Sequence, residues 1–278
     1  MRWVLLAGFL GSLLAACGDD TNGTGSSGPT TSGPGGSGGA GGAGGAGGAG
    51  GENNCPSGMA GPALVEIATL DGGSYCIDAT EVSNADYEAW LSTTPDAADQ
   101  PASCAWNTTF TPSMDWPAPV DQGLRPVAWV DWCDAHAYCA GVGKSLCGKI
   151  GGGPNAFSDQ TDATKSAWFN ACSAGGANTF PYGAEYDPAL CNGQEHPADT
   201  SIDVGTAPGC VGGSPGVFDM SGNVWEWEDS CETEDGAADL CRRRGGSFFS
   251  AADVLTCAIG ADDARITADD SIGFRCCF

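Results

Sequence analysis

Basic residues are scarce in this chain. Ten lysines and arginines stand against 35 aspartates and glutamates, a formal net charge of −25. That balance excludes nucleic acid as a partner, because a phosphate backbone is bound through a basic footprint. Histidine is scarcer still, with His136 and His196 alone in the sequence, and no C-x-x-C pair occurs. A zinc site of ordinary spacing therefore cannot be assembled locally. Long apolar runs are missing as well, since the stretch from Trp3 to Leu14 is too short to span a bilayer. What remains suits a soluble exported domain with room for hard cations.

The short apolar stretch has another use. Arg2 precedes it and "LAAC", Leu14 to Cys17, follows it. A basic start, an apolar middle and small residues before a cut describe a secretory signal. Its end on Cys17 resembles the lipobox of bacterial lipoproteins, which implies cleavage before Cys17, acylation of that residue and a membrane partner held through lipid. Residues 1–16 read as the signal peptide. Residues 17–54 read as the lipidated cysteine and a glycine- and serine-rich tether, with too little apolar surface to fold. The expected location is the bacterial envelope, at the outer membrane or cell surface rather than the inner membrane, because Gly18 supplies no obvious retention signal.

Residues 55–278 differ in kind. They hold 14 of the 15 cysteines, an even number in an environment that permits disulfides. About 220 residues suffice for one substantial core. "ALVEIATL" and "YCIDATEV" read as strands about a Gly-Gly turn. Ser83 and Asp86 form a capping-box start for a helix carrying Tyr87, Trp90 and Leu91. Asp131 starts a second helix, with Asp134 in its first turn and Ala135, Tyr138 and Cys139 on one face. "GVGKS", residues 141–145, looks like the tail of a phosphate-binding loop, but Tyr138 stands where that loop needs glycine and no strand precedes it. A third helix carries Trp168 and Cys172 and ends at Gly175-Gly176. Later segments, among them "VWEWE", "RRRGGSFF" and "IGFRCCF", read as loops and short strands. Early helices and late strands predict an α+β fold.

Six segments in order, "IDATEVSNADYEAWL", "RPVAWVDWCDAHAYCAGVGKSL", "FPYGAEYDPALCNG", "GVFDMSGNVWEWEDS", "RRGGSFF" and "IGFRC", resemble the sulfatase-modifying-factor family, whose active members are formylglycine-generating enzymes. The resemblance implies a C-type-lectin-like fold with little regular secondary structure, calcium sites and, in active members, a copper-binding cysteine pair. Within "NVWEWE", a period of two puts Trp225 and Trp227 on one face and Val224 and Glu226 on the other. The family's calcium site falls on the side chains of Asp219 and Glu226 and the carbonyls of Gly222 and Val224, an all-oxygen set suited to a hard cation. A second family site begins at Asn192 and the carbonyl of Gly193. Its other ligands fall in a shortened segment, where Asp199 and Asp203 are candidates or simply solvated loop acids.

The copper cysteines are not where the resemblance puts them. Ser250 occupies the first position and Leu255, by counting, the second, and neither replaces a thiolate for copper(I). The family's two structural disulfides correspond to Cys139–Cys276 and Cys172–Cys257. Proximity suggests Cys191–Cys210 and Cys231–Cys241 and, with less support, Cys55–Cys76; Cys104, Cys133, Cys147 and Cys277 stay open. The expectation is a calcium-stabilised binding or structural module with an unidentified protein or glycan ligand and no copper. The alternative is an active oxidase that converts a cysteine of an exported sulfatase-type substrate to formylglycine.

Overall fold

The computed structural model describes residues 53–278, within the unit Gly50–Phe278. The expected signal peptide, Cys17 and the expected tether up to residue 52 lie outside the described residues. Asn53 and Asn54, the last residues of the expected tether, are already tied to the domain, Asn53 Nδ2 donating to the Leu64 carbonyl at 2.9 Å and Asn54 to the Glu66 carboxylate.

Two small sheets and three helices make the α+β frame. Strand β1 (Leu64–Ala68) pairs antiparallel with β2 (Ser74–Asp78). Gly72 turns the hairpin at φ +89°, a left-handed conformation that glycine adopts without Cβ strain. Helix α1 (Asn84–Leu91) starts at the Ser83–Asp86 capping box. Helix α2 (Trp132–Gly141) starts at the corresponding Asp131–Asp134 box and leads into the short strand β3 (Ser145–Leu146). Lys144 of "GVGKS" is buried there, its Nζ 2.6 Å from Asp78 Oδ1, so it serves an internal ion pair. Helix α3 (Ala167–Ser173) is capped by Ser166 and stops where Ala174, Gly175 and Gly176 all turn left-handed.

The second sheet gathers the late segments. Its strands are β4 (Trp225–Cys231), β5 (Leu240–Arg244), β6 (Gly260–Ala264) and β7 (Ile272–Phe274), in the order β6-β5-β4-β7. Strand β5 ends at Arg244, because Gly245 and Gly246 take positive φ, so "GGSFF" is a turn and loop rather than strand. "IGFRCCF" divides: β7 joins this sheet, while β8 (Cys276–Cys277) joins the first, in the order β1-β2-β8-β3. Arg275 is the residue between them.

Both faces of β4 are covered. Trp225 and Trp227 pack with Tyr87, Trp90, Tyr138 and Phe274 in one core cluster. The other face meets Trp168, which belongs to a second cluster with Ile67, Ile77 and Met220.

Candidate metal centre

Glu226 points from β4 into the space between the sheets, where it meets Arg275. The pair is bidentate, with Arg275 Nε 2.7 Å from Oε2 and Nη2 2.6 Å from Oε1. Trp168 Nε1 donates to Oε2 at 2.8 Å. Arg275 also donates to the carbonyls of Asp78 and Phe218, so it ties both sheets and the 218–219 turn to one guanidinium. Two planar forks facing each other give the strongest common geometry for a buried ion pair.

Two further carboxyl groups adjoin this pair. Asp219, in the left-handed region at φ 58°, accepts the Gly205 amide at 2.6 Å. Glu81 is fully enclosed; its Oε1 accepts from Asn223 Nδ2 at 3.0 Å, and its Oε2 has no hydrogen-bond partner. Burial pushes the Asp219 carboxyl up to about 6, with Glu226 adding to the rise. Burial likewise raises Glu81 well above the usual carboxylate range, and the Asp219 and Glu226 charges raise it further. Three carboxylates against one guanidinium leave two surplus negative charges in a dry place. Such charges are neutralised by protons or by a cation.

The donors in this cluster are oxygens, the class that a hard divalent ion takes. Among the described residues the carbonyls of Gly222 and Val224 accept no hydrogen bond, and they flank Asn223, the residue that holds Glu81. Gly222 takes φ +76°, and a Cβ there would lie 2.3 Å from the Asn192 carbonyl oxygen, so the turn closes only without a side chain. No three His, Cys, Asp or Glu side chains among the described residues converge as a chelating group by themselves. An ion here would therefore draw on backbone carbonyls, as hard cations do.

The second expected site is adjacent. Asn192 is buried with Oδ1 unpartnered, while its Nδ2 donates to the Thr200 carbonyl at 2.9 Å and to Asn223 Oδ1 at 3.1 Å. The Gly193 carbonyl accepts the His196 amide at 2.9 Å. Asp199 is exposed and Asp203 half-buried. The shortened segment thus presents a backbone oxygen to Asn192, not a carboxylate.

At the copper positions, Ser250 is buried and its Oγ accepts the Ser247 amide at 3.0 Å. Leu255 is buried against Gly193 and Gly246. Cys257 is bonded to Cys172. The other bonds are Cys139–Cys276, Cys191–Cys210, Cys231–Cys241, Cys55–Cys76, Cys104–Cys133 and Cys147–Cys277. All described cysteines are thereby paired, and no thiolate is on hand beside Ser250.

Glu81, Arg275 and Trp168 escaped sequence reasoning as parts of this centre. A signal existed for two of them. Glu81 is a charge inside the otherwise strand-like "YCIDATEV", and Arg275 is a lone base in an apolar terminal segment.

With this geometry in hand, the chain can be compared with known proteins. The profile of the sulfatase-modifying factor enzyme 1-like domain matches residues 48–278. The bovine protein called inactive C-alpha-formylglycine-generating enzyme 2 is 30% identical over 183 residues, covering 58% of this chain and 54% of its own length. Mouse formylglycine-generating enzyme is 25% identical over 274 residues, covering 78% of this chain and 68% of its own length. The chain spans about half the length of the inactive relatives it matches. The structure of PvdO from Pseudomonas aeruginosa superposes with a TM-score of 0.51 at 20% identity, over 78% of this chain and 91% of that one.

Proposed function

The chain belongs to the sulfatase-modifying-factor family and has its disulfide-rich, C-type-lectin-like α+β fold; we propose that within the family it is a non-catalytic, calcium-stabilised binding or structural module. Ser250 carries this reading. An oxidase of this kind needs two soft thiolates to hold copper(I). Here one position offers a hydroxyl that already accepts the Ser247 amide, the other offers Leu255, and the nearest sulfur, Cys257, is in a disulfide. The likeness to relatives named as inactive supports the same reading.

Calcium would be held by Asp219 and Glu81 with the carbonyls of Gly222 and Val224, beside Glu226, whose charge Arg275 already balances. It would supply the positive charge that the cluster lacks and fix the 219–226 turn. Asn192 and Gly193 would contribute to a second, weaker site. We further propose that acylated Cys17 tethers the module to the envelope; changing Cys17 to Ser should move the protein from the membrane to the soluble fraction.

The oxidase alternative is tested directly. The purified chain is incubated with a sulfatase-type cysteine peptide, copper and a reductant, and the peptide is weighed by mass spectrometry. The expected product is unchanged peptide. Loss of the sulfur with gain of an aldehyde, dependent on copper, would overturn the non-catalytic reading.

A further inference from the structure

Away from the centre just described, the end of α1, the loop after it and the outer face of α2 enclose a cavity of about 390 Å³. That volume lies in the range of small-molecule sites. Its floor is apolar, formed by Trp90, Phe110, Ala137 and Ala140, and its rim carries Asp96, Asp99 and His136.

Two polar groups in the wall have no protein partner. Trp90 is 5% exposed, yet its indole Nε1 donates to no acceptor among the described residues. Neither is that nitrogen sealed off, in contrast to Tyr138 Oη, which is enclosed without a partner. Gly141 permits this placement. A Cβ at that position would sit 2.3 Å from Trp90 Nε1, so the indole edge can lie along this wall only against a glycine. A donor that solvent can reach takes either a water or a ligand acceptor. The second group is His136, stacked on Trp132 with ring centroids 5.0 Å apart. Its imidazole makes no hydrogen bond among the described residues. Burial holds its pKa below the usual value, so the ring is neutral and offers one donor and one acceptor.

A fitting ligand must therefore bring an acceptor to Trp90 and accommodate two carboxylates at the rim. One Asp96 oxygen already caps the Ala98 amide at 2.9 Å, and both Asp96 and Asp99 are exposed. We propose that this cavity binds compact primary ammonium compounds that carry a hydroxyl or carbonyl oxygen a few atoms from the nitrogen. The ammonium meets Asp96 and Asp99, the oxygen takes the Trp90 N–H, and the carbon skeleton lies on the Phe110–Ala140 floor. The net charge of −25 adds long-range attraction for such a cation. The assignment is independent of whether the chain oxidises a peptide.

An amino sugar and a peptide lysine share this chemistry, and the test separates them. The full chain, labelled with nitrogen-15, is titrated with glucosamine against glucose, and with Nα-acetyl-lysine methylamide against Nα-acetyl-norleucine methylamide. Trp90→Phe identifies the Trp90 indole signal by its loss. We expect at least one ammonium compound to shift that signal and to bind about tenfold or more tighter than its neutral partner. Binding of glucosamine assigns a saccharide, and binding of the lysine amide assigns a peptide. The double variant Asp96→Asn/Asp99→Asn keeps the Asp96 cap chemistry at two exposed positions and should weaken binding about tenfold. Equal affinity for charged and neutral partners, a Trp90 signal that does not move, or an unaffected double variant would each overturn the proposal.

Discussion

Glu226 has both oxygens engaged by Arg275 and Trp168, whereas Glu81 is hydrogen-bonded only to Asn223. The two glutamates should therefore respond differently to the same change. Removing one partner of a buried pair leaves the other uncompensated, at a cost of about 3–5 kcal/mol. Glu226→Gln should accordingly destabilise the domain with or without calcium. Glu81→Gln removes no partnered cation, so it should cost little in a chelator but abolish most of the stabilisation by calcium. In the unaltered chain, calcium at 1,000 times its dissociation constant would add about 4 kcal/mol. Thermal unfolding with calcium and with chelator separates the cases. Identical melting curves in the two conditions would sink the metal assignment. From sequence, Asp219, Gly222, Val224 and Glu226 group as ligands because they share one short segment, but the fold gives Glu226 Arg275 as its partner instead. Glu81 was not legible there, because only the fold brings residue 81 beside residue 219.

Strand β4 shows what an element adds to its residues. The alternation of "VWEWE" was legible, and it separates the tryptophan face from the glutamate face. Burial of the second face was not, because it depends on Trp168 and Arg275 arriving from elsewhere. The starts of α1 and α2 were legible for the opposite reason, since each capping box is local chemistry between residues three positions apart. In "RRRGGSFF", read only as loop and short strand, the strand is the arginine run, and the two glycines after Arg244 turn the chain away. Further along β4, burial pushes the Asp229 carboxyl up to about 7, with Glu234 and Glu228 adding and Arg265 partly offsetting. The unfolded chain releases that proton near pH ~4. Between those values the native state binds more protons, so this group's contribution to stability is full below about pH 4 and lost as pH rises through about 7. The slope from one such group is at most about 1.4 kcal/mol per pH unit. Asp229→Asn should flatten the decline, as read by urea unfolding across pH at fixed calcium. Parallel profiles for variant and parent would show that Asp229 does not titrate in this way.

At the scale of the molecule, two disulfides hold the same end of the chain. Cys139–Cys276 and Cys147–Cys277 span 137 and 130 residues and meet in β8, one residue apart. The first was legible through the family resemblance. The second was not, because Cys147 finds Cys277 only through the β3–β8 ladder, where Leu146 already faces Cys276. Their contributions cannot add. Either bond alone closes a loop that Cys172–Cys257 already shortens to about 50 residues, worth about 4 kcal/mol in the chain-entropy model. Once one is present, the other closes a ring of only about ten residues, worth about 3 kcal/mol. Removing either pair as cysteine-to-alanine should then cost about 3 kcal/mol, while removing both should cost about 7, or ~1 kcal/mol more than the two single costs together. A double-mutant cycle by urea unfolding measures that excess, and packing changes at the alanines cancel from it to the extent that they are independent. The excess should be accompanied, in the variant lacking both bonds, by faster amide exchange in β8 than in β1 or β4, because nothing covalent then returns the terminus to its sheet. Costs that simply add would mean that the unfolded chain already keeps its C-terminal segment near residues 139–147, and that the loop the first bond closes is far shorter than the Cys172–Cys257 cross-link alone makes it.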